Sequence, residues 1–441
     1  MWEQIASNRR RSVVFVSALF AVLVAMGGLI GAAVDPAGWP IGVGAALVLW
    51  GILYLIAAFA GDRVVLATAG AKKIEKADAP QLFNVVEEMA IASGQRVPDI
   101  YLIPDESPNA FAAGRSEKKR VVAVTSGLLR IATRDELQGV IAHEMGHHKN
   151  ADVRFMILAG VMLGTIILLA ELFLRSGLGR GRRSSSRKDG GAQAVILIIT
   201  LLFAILAPLL ARMLYLACSR RREYLADASA ARFTRYPEGL ASALEKISGH
   251  YTSRRDTSRV LAPLYIINPM EALAAMGLFS THPPVQKRVE ILRSMGGGAG
   301  FAAYEEASRR VLGKSLIGKR SLAADSAVDV RPPDTRPDTR DQKIERAKQA
   351  ADLVGRLAHM VALNCACGVT IRIPDGLNRA AIPCPRCGAD NKVPTAADRF
   401  QRQGTGWQSF RCACGKSVHL SPAFSGTHAT CEACKRQIEI V

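Results

Sequence analysis

Four uninterrupted apolar blocks constrain this chain more than any other feature. A helix needs roughly 20 apolar residues to cross a bilayer, and residues 12–34, 41–60, 155–174 and 194–216 all meet that length. The first two carry no charge inside. The third holds Glu171 near its far end, and the fourth holds Arg212, whose long stem can snorkel to an interface. For the third and fourth blocks a buried core helix is the competing reading. Segregated blocks also explain how a chain that is 49% hydrophobic can carry a formal charge of +19.

Basic residues sit beside these blocks. Arg9, Arg10 and Arg11 precede the first, and Lys72, Lys73 and Lys76 follow the second. By the positive-inside rule both ends of that hairpin face the cytosol. The first block is long, lacks a clear small-residue cleavage site and is followed closely by a second span, so it does not read as a cleaved signal. One feature opposes this topology. The stretch between the third and fourth blocks carries Arg175, Arg180, Arg182, Arg183, Arg187 and Lys188, yet it should lie on the far side. Clustering beside spans makes anionic lipid the expected partner of the basic residues, and no nucleic acid is expected.

Between the second and third blocks, the spacing predicts a helix over 80–93, short strands near 99–103 and 120–125, and a helix from about Arg134 to His148. Thr133 followed three residues later by Glu136 is a capping box at that helix start. Beyond the fourth block the chain reads as helical, with breaks at Pro237, Pro263 and Pro269, and a further helix starts near Thr281-His282-Pro283-Pro284. Glycines at 296–298 and 300 end the pattern. Proline, charge and the repeated Pro-Asp-Thr-Arg at 333 and 337 predict a disordered linker over 313–341. An amphipathic helix over 342–363 should follow.

The chemistry begins with His143-Glu144-Met145-Gly146-His147. On a helix, positions four apart share a face, so His143 and His147 can offer imidazole nitrogens to one metal, with Glu144 beside them as a base. A catalytic zinc needs a third protein ligand and an open position. Glu223 is the candidate. It lies seven residues past the fourth block, and His147 lies eight before the third, so a hairpin would bring them to one height. Asp227, one turn beyond Glu223, can accept from a ligand histidine or pair with Arg220, Arg221 and Arg222 at the surface. His148 points about 100° off the ligand face, which suits a neighbouring polar role or the surface. In such a site zinc activates water and Glu144 moves its proton. His282 is the candidate donor to the oxyanion, with a helix-capping role as its alternative.

The tail from 364 to 441 is a duplication. Cys365, Cys367, Cys384 and Cys387 recur as Cys412, Cys414, Cys431 and Cys434, each offset by 47 residues. Each set fits a tetrahedral thiolate zinc site on which a small domain depends to fold. Glycines 368 and 415 ease the tight first knuckle. Disulfides are the competing reading, disfavoured in a reducing compartment. Cys218 is left over and reads as a packing residue.

Together, His143 to His148, Glu223 to Asp227 and Thr281-His282-Pro283 resemble the HtpX-type membrane peptidases, gluzincins related to the CaaX-prenyl proteases. Ser107 to Ala112 is similar to that family's Asn-Ala-Phe-Ala motif, which implies that substrate adds as a strand beside Asn109, Ala110, Phe111 and Ala112. The resemblance covers roughly residues 1–295. It implies zinc, a membrane-anchored catalytic domain facing the cytosol, and cleavage of misfolded or damaged membrane proteins. The tail and the basic 175–188 stretch fall outside it.

The expected fold is thus a mostly α membrane protein with four transmembrane helices, a zincin-like α+β catalytic domain and two small C-terminal β zinc ribbons. The expected units are a transmembrane hairpin at 1–60, a peptidase domain at 61–312 that includes the hairpin 155–216, the linker at 313–341, the helix at 342–363, and ribbons at 364–441. Expected partners are polypeptides, particularly membrane proteins, the lipid bilayer, and a protein partner for the ribbons. The expected location is the cell inner membrane, multi-pass, with both termini cytoplasmic. A membrane-anchored zinc-ribbon adaptor with an inert peptidase-like domain is the alternative, and the intact Glu144 argues against it.

Overall fold

The computed structural model describes residues 2–114, 119–150, 165–167, 169–175, 190–250, 264–268, 282–323, 325–334, 338–358, 360–374, 381–392, 395–396, 399–402, 406–424 and 426–440. The first two apolar blocks form α1 (Trp2–Val34) and α2 (Trp39–Thr68). Within them Val13–Val34 and Pro36–Ile56 are long and apolar enough to span a bilayer. The second is almost wholly unburied, and Val48, Ile52, Leu55 and Phe59 stand exposed. Apolar surface of that extent on a helix calls for lipid or a partner. Most of the third block lies outside the described residues. The fourth belongs to a single long helix, α6 (Gly190–Thr234), whose described apolar run, Leu197–Leu209, falls short of a full span. Two candidate spans are therefore present among the described residues, against the four expected.

After α2 the chain folds into a four-stranded sheet with α3 (Pro80–Ser93) against it. The strands are β1 (Lys72–Lys73), β2 (Asp99–Ile103), β3 (Ala110–Ala113) and β4 (Val121–Thr125), in the order β1-β2-β4-β3. Strand β4 runs parallel to β2 and antiparallel to β3, which is the edge. Side chains alternate between faces with period two. Ile100, Leu102, Ala110, Val122 and Val124 enter the core shared with α3 and α5 (Arg134–Lys149). Ile103, Phe111, Ala113, Val121 and Ala123 join Phe15, Leu19, Leu23 and Met26 of α1. Burial on both faces is why Val-Val-Ala-Val-Thr reads as an unbroken apolar run.

Short α4 (Ser126–Ile131) leads into α5, where the expected capping box forms. The Thr133 hydroxyl accepts from the Glu136 N–H, and the Glu136 carboxylate accepts from the Thr133 N–H. Helices α7 (Pro237–Gly249), α8 (Val285–Arg293) and α9 (Phe301–Leu312) complete the core around α5.

The stretch expected to be a disordered linker is tied to this core. Ala299 N–H donates to Val328 O and Val330 N–H to Gly297 O. The Arg331 guanidinium reaches Asp135, Gln138 and Thr234 O, and the Asp334 N–H meets the Asp135 carboxylate. Leu316 and Ile317 are buried in the core, and Leu322 packs against it. Backbone bonds and the Arg331 fork hold the later part of the stretch against α5. Helix α10 (Arg340–Leu357) follows and inserts Leu353 into the same core.

In the tail, β5 (Met360–Asn364) pairs with β6 (Thr370–Pro374), and β7 (Ala381–Pro383) with β8 (Asp390–Lys392). In the second copy, β11 (Gln408–Cys412) pairs with β12 (Ser417–Leu420), and β13 (His428–Thr430) with β14 (Gln437–Ile440). The tight strands β9 (Thr395–Ala396) and β10 (Arg399–Phe400) join the second copy in parallel pairings. The duplication thus persists at the level of hairpins, and the small cores centre on Leu363, Ile371 and Ile373, and on Phe410, Leu420 and Ile438.

Candidate active site

His143 and His147 face the same side of α5, as four-residue spacing requires, with their Nε2 atoms 3.2 Å apart. Helix α6 crosses close enough to bring Glu223 against them. Gly146 permits this, because a Cβ there would lie 3.1 Å from the Ser229 Cβ and 3.2 Å from the Ala226 backbone. Small residues on the facing side, Ala226, Ala228, Ser229 and Ala230, are fully buried. The glycine within the motif is therefore a helix-contact residue.

The Glu223 carboxylate stands 3.3 Å from His147 Nε2 and 3.6 Å from His143 Nε2. All three side chains are buried, and their ligand atoms lie within 4.8 Å of one another. Tetrahedral zinc with bonds of 2.0–2.1 Å would separate its ligand atoms by about 3.3 Å. Glu223 Oε2 and Glu144 Oε1 are buried with no hydrogen-bond partner among the described residues. Arg288 Nη1 and His282 Nε2 come only to 3.5 and 3.6 Å of Glu223 Oε2, and burying a carboxylate oxygen without a hydrogen bond is expensive unless a close cation compensates it. The donor set, its spacing and these orphaned oxygens fit a divalent metal.

Electrostatics agree. Burial works against ionised Glu223, but the imidazoles of His282, His143 and His147 outweigh it and hold that carboxyl well below the usual range. Burial pushes Glu144 upward, with the two imidazoles pulling the other way.

His143 turns its other nitrogen outward. Nδ1 is 2.9 Å from Asp227 Oδ1, which leaves Nε2 for the ligand position. Asp227 is fully buried, so the surface pairing with Arg220 to Arg222 does not occur. His282 is also buried, with Nε2 3.6 Å from Glu223 Oε2. The cap position of α8 is Pro284 and carries no side-chain cap, so His282 belongs to the cage rather than to a helix start. His148 is neither surface nor ligand. It is buried, its Nε2 lies 3.0 Å from Val121 O on β4, and burial pushes its pKa down to about 3, so the ring is neutral and fastens α5 to the sheet. Side chains of Arg212 and Cys218 lie outside the described residues.

The predicted strand residues do form the sheet edge, but that edge is partly covered. Ile266 N–H donates to Ala110 O, and the Asn109 carboxamide donates to Ile267 O. Tyr265 packs edge-on against Phe111. Ala112 is then the outward-facing residue of β3 left for an added strand, by the alternation of the ladder.

Arg288 follows His282 in the sequence, which by itself gives it no role. It is fully buried, with Nε and Nη2 bonded to the two oxygens of Asp227 at 2.8 and 2.7 Å. Its position six residues past His282 was the available signal, lost among 57 basic residues.

The cysteines gather as two sets of four. In the first, sulfur pairs lie 3.5 and 3.6 Å apart, and in the second both lie 3.6 Å apart. A zinc–thiolate tetrahedron spaces sulfurs by about 3.8 Å. Gly368 and Gly415 both take φ of +85° at the first knuckle, as anticipated. Backbone N–H groups draw the Cys384 thiol down to about 6 and Cys431 to about 7, while the neighbouring sulfurs push Cys387 up to about 12 and Cys414 to about 11.

A His-Glu-x-x-His helix and a glutamate from a second helix that meet in one buried cage define a zinc metallopeptidase, here one with membrane helices at its start. Residues 76–296 match the model of peptidase family M48. The protease HtpX homolog of Syntrophobacter fumaroxidans is 40% identical over 290 residues, covering 65% of this chain and 99% of that protein. Its namesake in Streptococcus uberis is 39% identical, covering 67% and 100%, and that in Dictyoglomus turgidum is 48% identical, covering 53% and 76%. The crystal structure of S. mikatae Ste24p overlaps 66% of this chain and 67% of its own, at 19% identity and a TM-score of 0.37. The chain belongs to peptidase family M48, within its HtpX-type members. The family match ends before the cysteine-rich tail begins.

Proposed function

We propose that this chain is an HtpX-type endopeptidase in which His143, His147 and Glu223 hold zinc and Glu144 is the general base. The observation that carries the proposal is the buried cluster of three ligand atoms, with a buried and unpartnered Glu144 oxygen on the residue next to His143. When bound there, zinc supplies a Lewis acid that polarises a peptide carbonyl and acidifies water. Glu144 takes the proton of the attacking water and passes it to the departing amine. His282 donates toward the carbonyl oxygen as negative charge develops on it. Asp227 holds the Nδ1 proton of His143, so that the Nε2 lone pair points into the cage.

The substrates are misfolded or damaged membrane proteins. Their backbone approaches beside β3 near Ala112. The chain resides in the cell inner membrane with its catalytic unit and both termini in the cytosol, and blocks three and four complete a set of four spans. Each cysteine cluster holds a structural zinc, and the paired ribbons recruit a protein partner or substrate. The units run over 1–60, 61–312 and 364–441.

Glu144→Gln is the direct test, on an unfolded membrane-protein substrate in detergent. Cleavage should fall about 10²–10⁴-fold, the range for loss of a general base, with metal content unchanged. Cleavage at the wild-type rate would sink the mechanism.

A further inference from the structure

One guanidinium joins several parts of the site. Beyond its fork on Asp227, Arg288 places Nη1 3.5 Å from Glu223 Oε2 and 3.0 Å from Ile266 O, and Nη2 3.4 Å from His143 Nδ1. Asp227 Oδ1 therefore sits between two donors, Arg288 Nη2 at 2.7 Å and His143 Nδ1 at 2.9 Å. Ile266 is also the residue whose N–H is bonded to Ala110 on the edge strand. One side chain thus touches a histidine ligand, the glutamate ligand, the carboxylate that orients the histidine, and the segment lying on the substrate edge.

We infer that Arg288 is a positioning residue of the metal cage, which aims the Asp227 carboxylate at His143 Nδ1 and fixes the cage relative to edge strand β3. This inference rests on the reading of the cage as a metal site.

The physical argument is geometric. A carboxylate can rotate about its last bond, and the acceptor it shows His143 changes as it does. A planar fork bonding both oxygens removes that freedom, which a point-charge ammonium cannot do. With the carboxylate locked, His143 keeps a single tautomer, and its ring cannot swing from the ligand position. Partners of this kind typically change metal affinity 10–100-fold when removed. Neutralising Asp227 is a separate task that any buried cation could perform, and the two tasks can be parted by mutation.

Two variants of the full chain do so, with cobalt(II) as the probe. Thiolate sites give intense charge-transfer absorption that a histidine–carboxylate site lacks, so the cage is read apart from the cysteine clusters. Arg288→Lys keeps the charge and loses the fork. The pair Asp227→Leu with Arg288→Leu removes both charges and replaces them with apolar bulk, an exchange that buried ion pairs commonly tolerate without loss of stability. Both variants should bind cobalt at the cage at least 10-fold more weakly than wild type. The double variant's metal-free melting temperature should stay near wild type, which separates weak binding from poor folding. Cage affinity at the wild-type level in either variant would overturn the inference. A wild-type chain that binds cobalt at the cysteines and nowhere else would overturn the metal reading itself.

Discussion

His143 and Glu223 lie 80 residues apart in the chain and meet in a fully buried cage, whereas Cys365 to Cys387 span 23 residues, with Cys387 exposed. The cage is defined by packing. Gly146 sets the approach of α5 to α6, Arg288 ties α8 to both, and a large apolar core surrounds them. The ribbons have little of this, with a handful of buried side chains each. The difference teaches where folding energy comes from. A catalytic metal can be added to a site the protein already holds, while a structural metal takes the place of the core.

Exhaustive chelation presses hardest on that contrast. Structural zinc contributes about 10–16 kcal/mol in small domains, so metal removal should unfold residues 364–441 and expose them to protease. The α3–α5 core should stay resistant and lose activity alone. A metal-free chain with a protease-resistant tail would break the comparison.

Cys431→Ser sharpens it to one cluster. The second ribbon should release its metal, lowering bound zinc by about one per chain, while the peptidase unit melts at its wild-type temperature. Metal analysis and differential scanning of the same sample decide it. Loss of both ribbon metals would show that the copies fold as one unit.

The smallest effect lies on the packed side. Glu305 is buried at the base of α9, where its carboxylate accepts from Leu316 N–H, Ile317 N–H and the Ser315 hydroxyl. Burial favours the neutral form, but these bonds and Arg309 outweigh it and lower the pKa below 4.5. A depressed carboxylate stabilises the fold above its unfolded pKa, and the stability is lost as pH falls through the folded value. Glu305→Gln should therefore cost about 1.5–3 kcal/mol at neutral pH. It should also flatten the decline in melting temperature below about pH 4.5. An unchanged acid limb would show that Glu305 does not titrate with folding.

Legibility in the sequence followed the range of the contacts. The capping box, the i,i+4 histidines and the 47-residue duplication are local patterns, and each was met in the structure as read. Glu223 was reached through the predicted hairpin. Most of the third block lies outside the described residues, but Glu223 meets the two histidines. The role of Arg288 and the strap at 328–334 were missed for one reason. Each is held through arginine and backbone groups whose partners are far away in sequence, and composition scores such residues as solvent-facing.

By itself the sequence determined which helix carries the two histidines and the base, that two long apolar helices open the chain, and that eight cysteines fall into two equal sets. Those are consequences of helical periodicity, run length and spacing, which neighbouring residues alone decide. Only the tertiary structure decided that Asp227 is buried, that Arg288 spans the cage and that the sheet edge is already half covered by Tyr265 to Ile267. A buried charge is stable only beside its partner, and the partners Asp227 and Arg288 lie 61 residues apart in the chain.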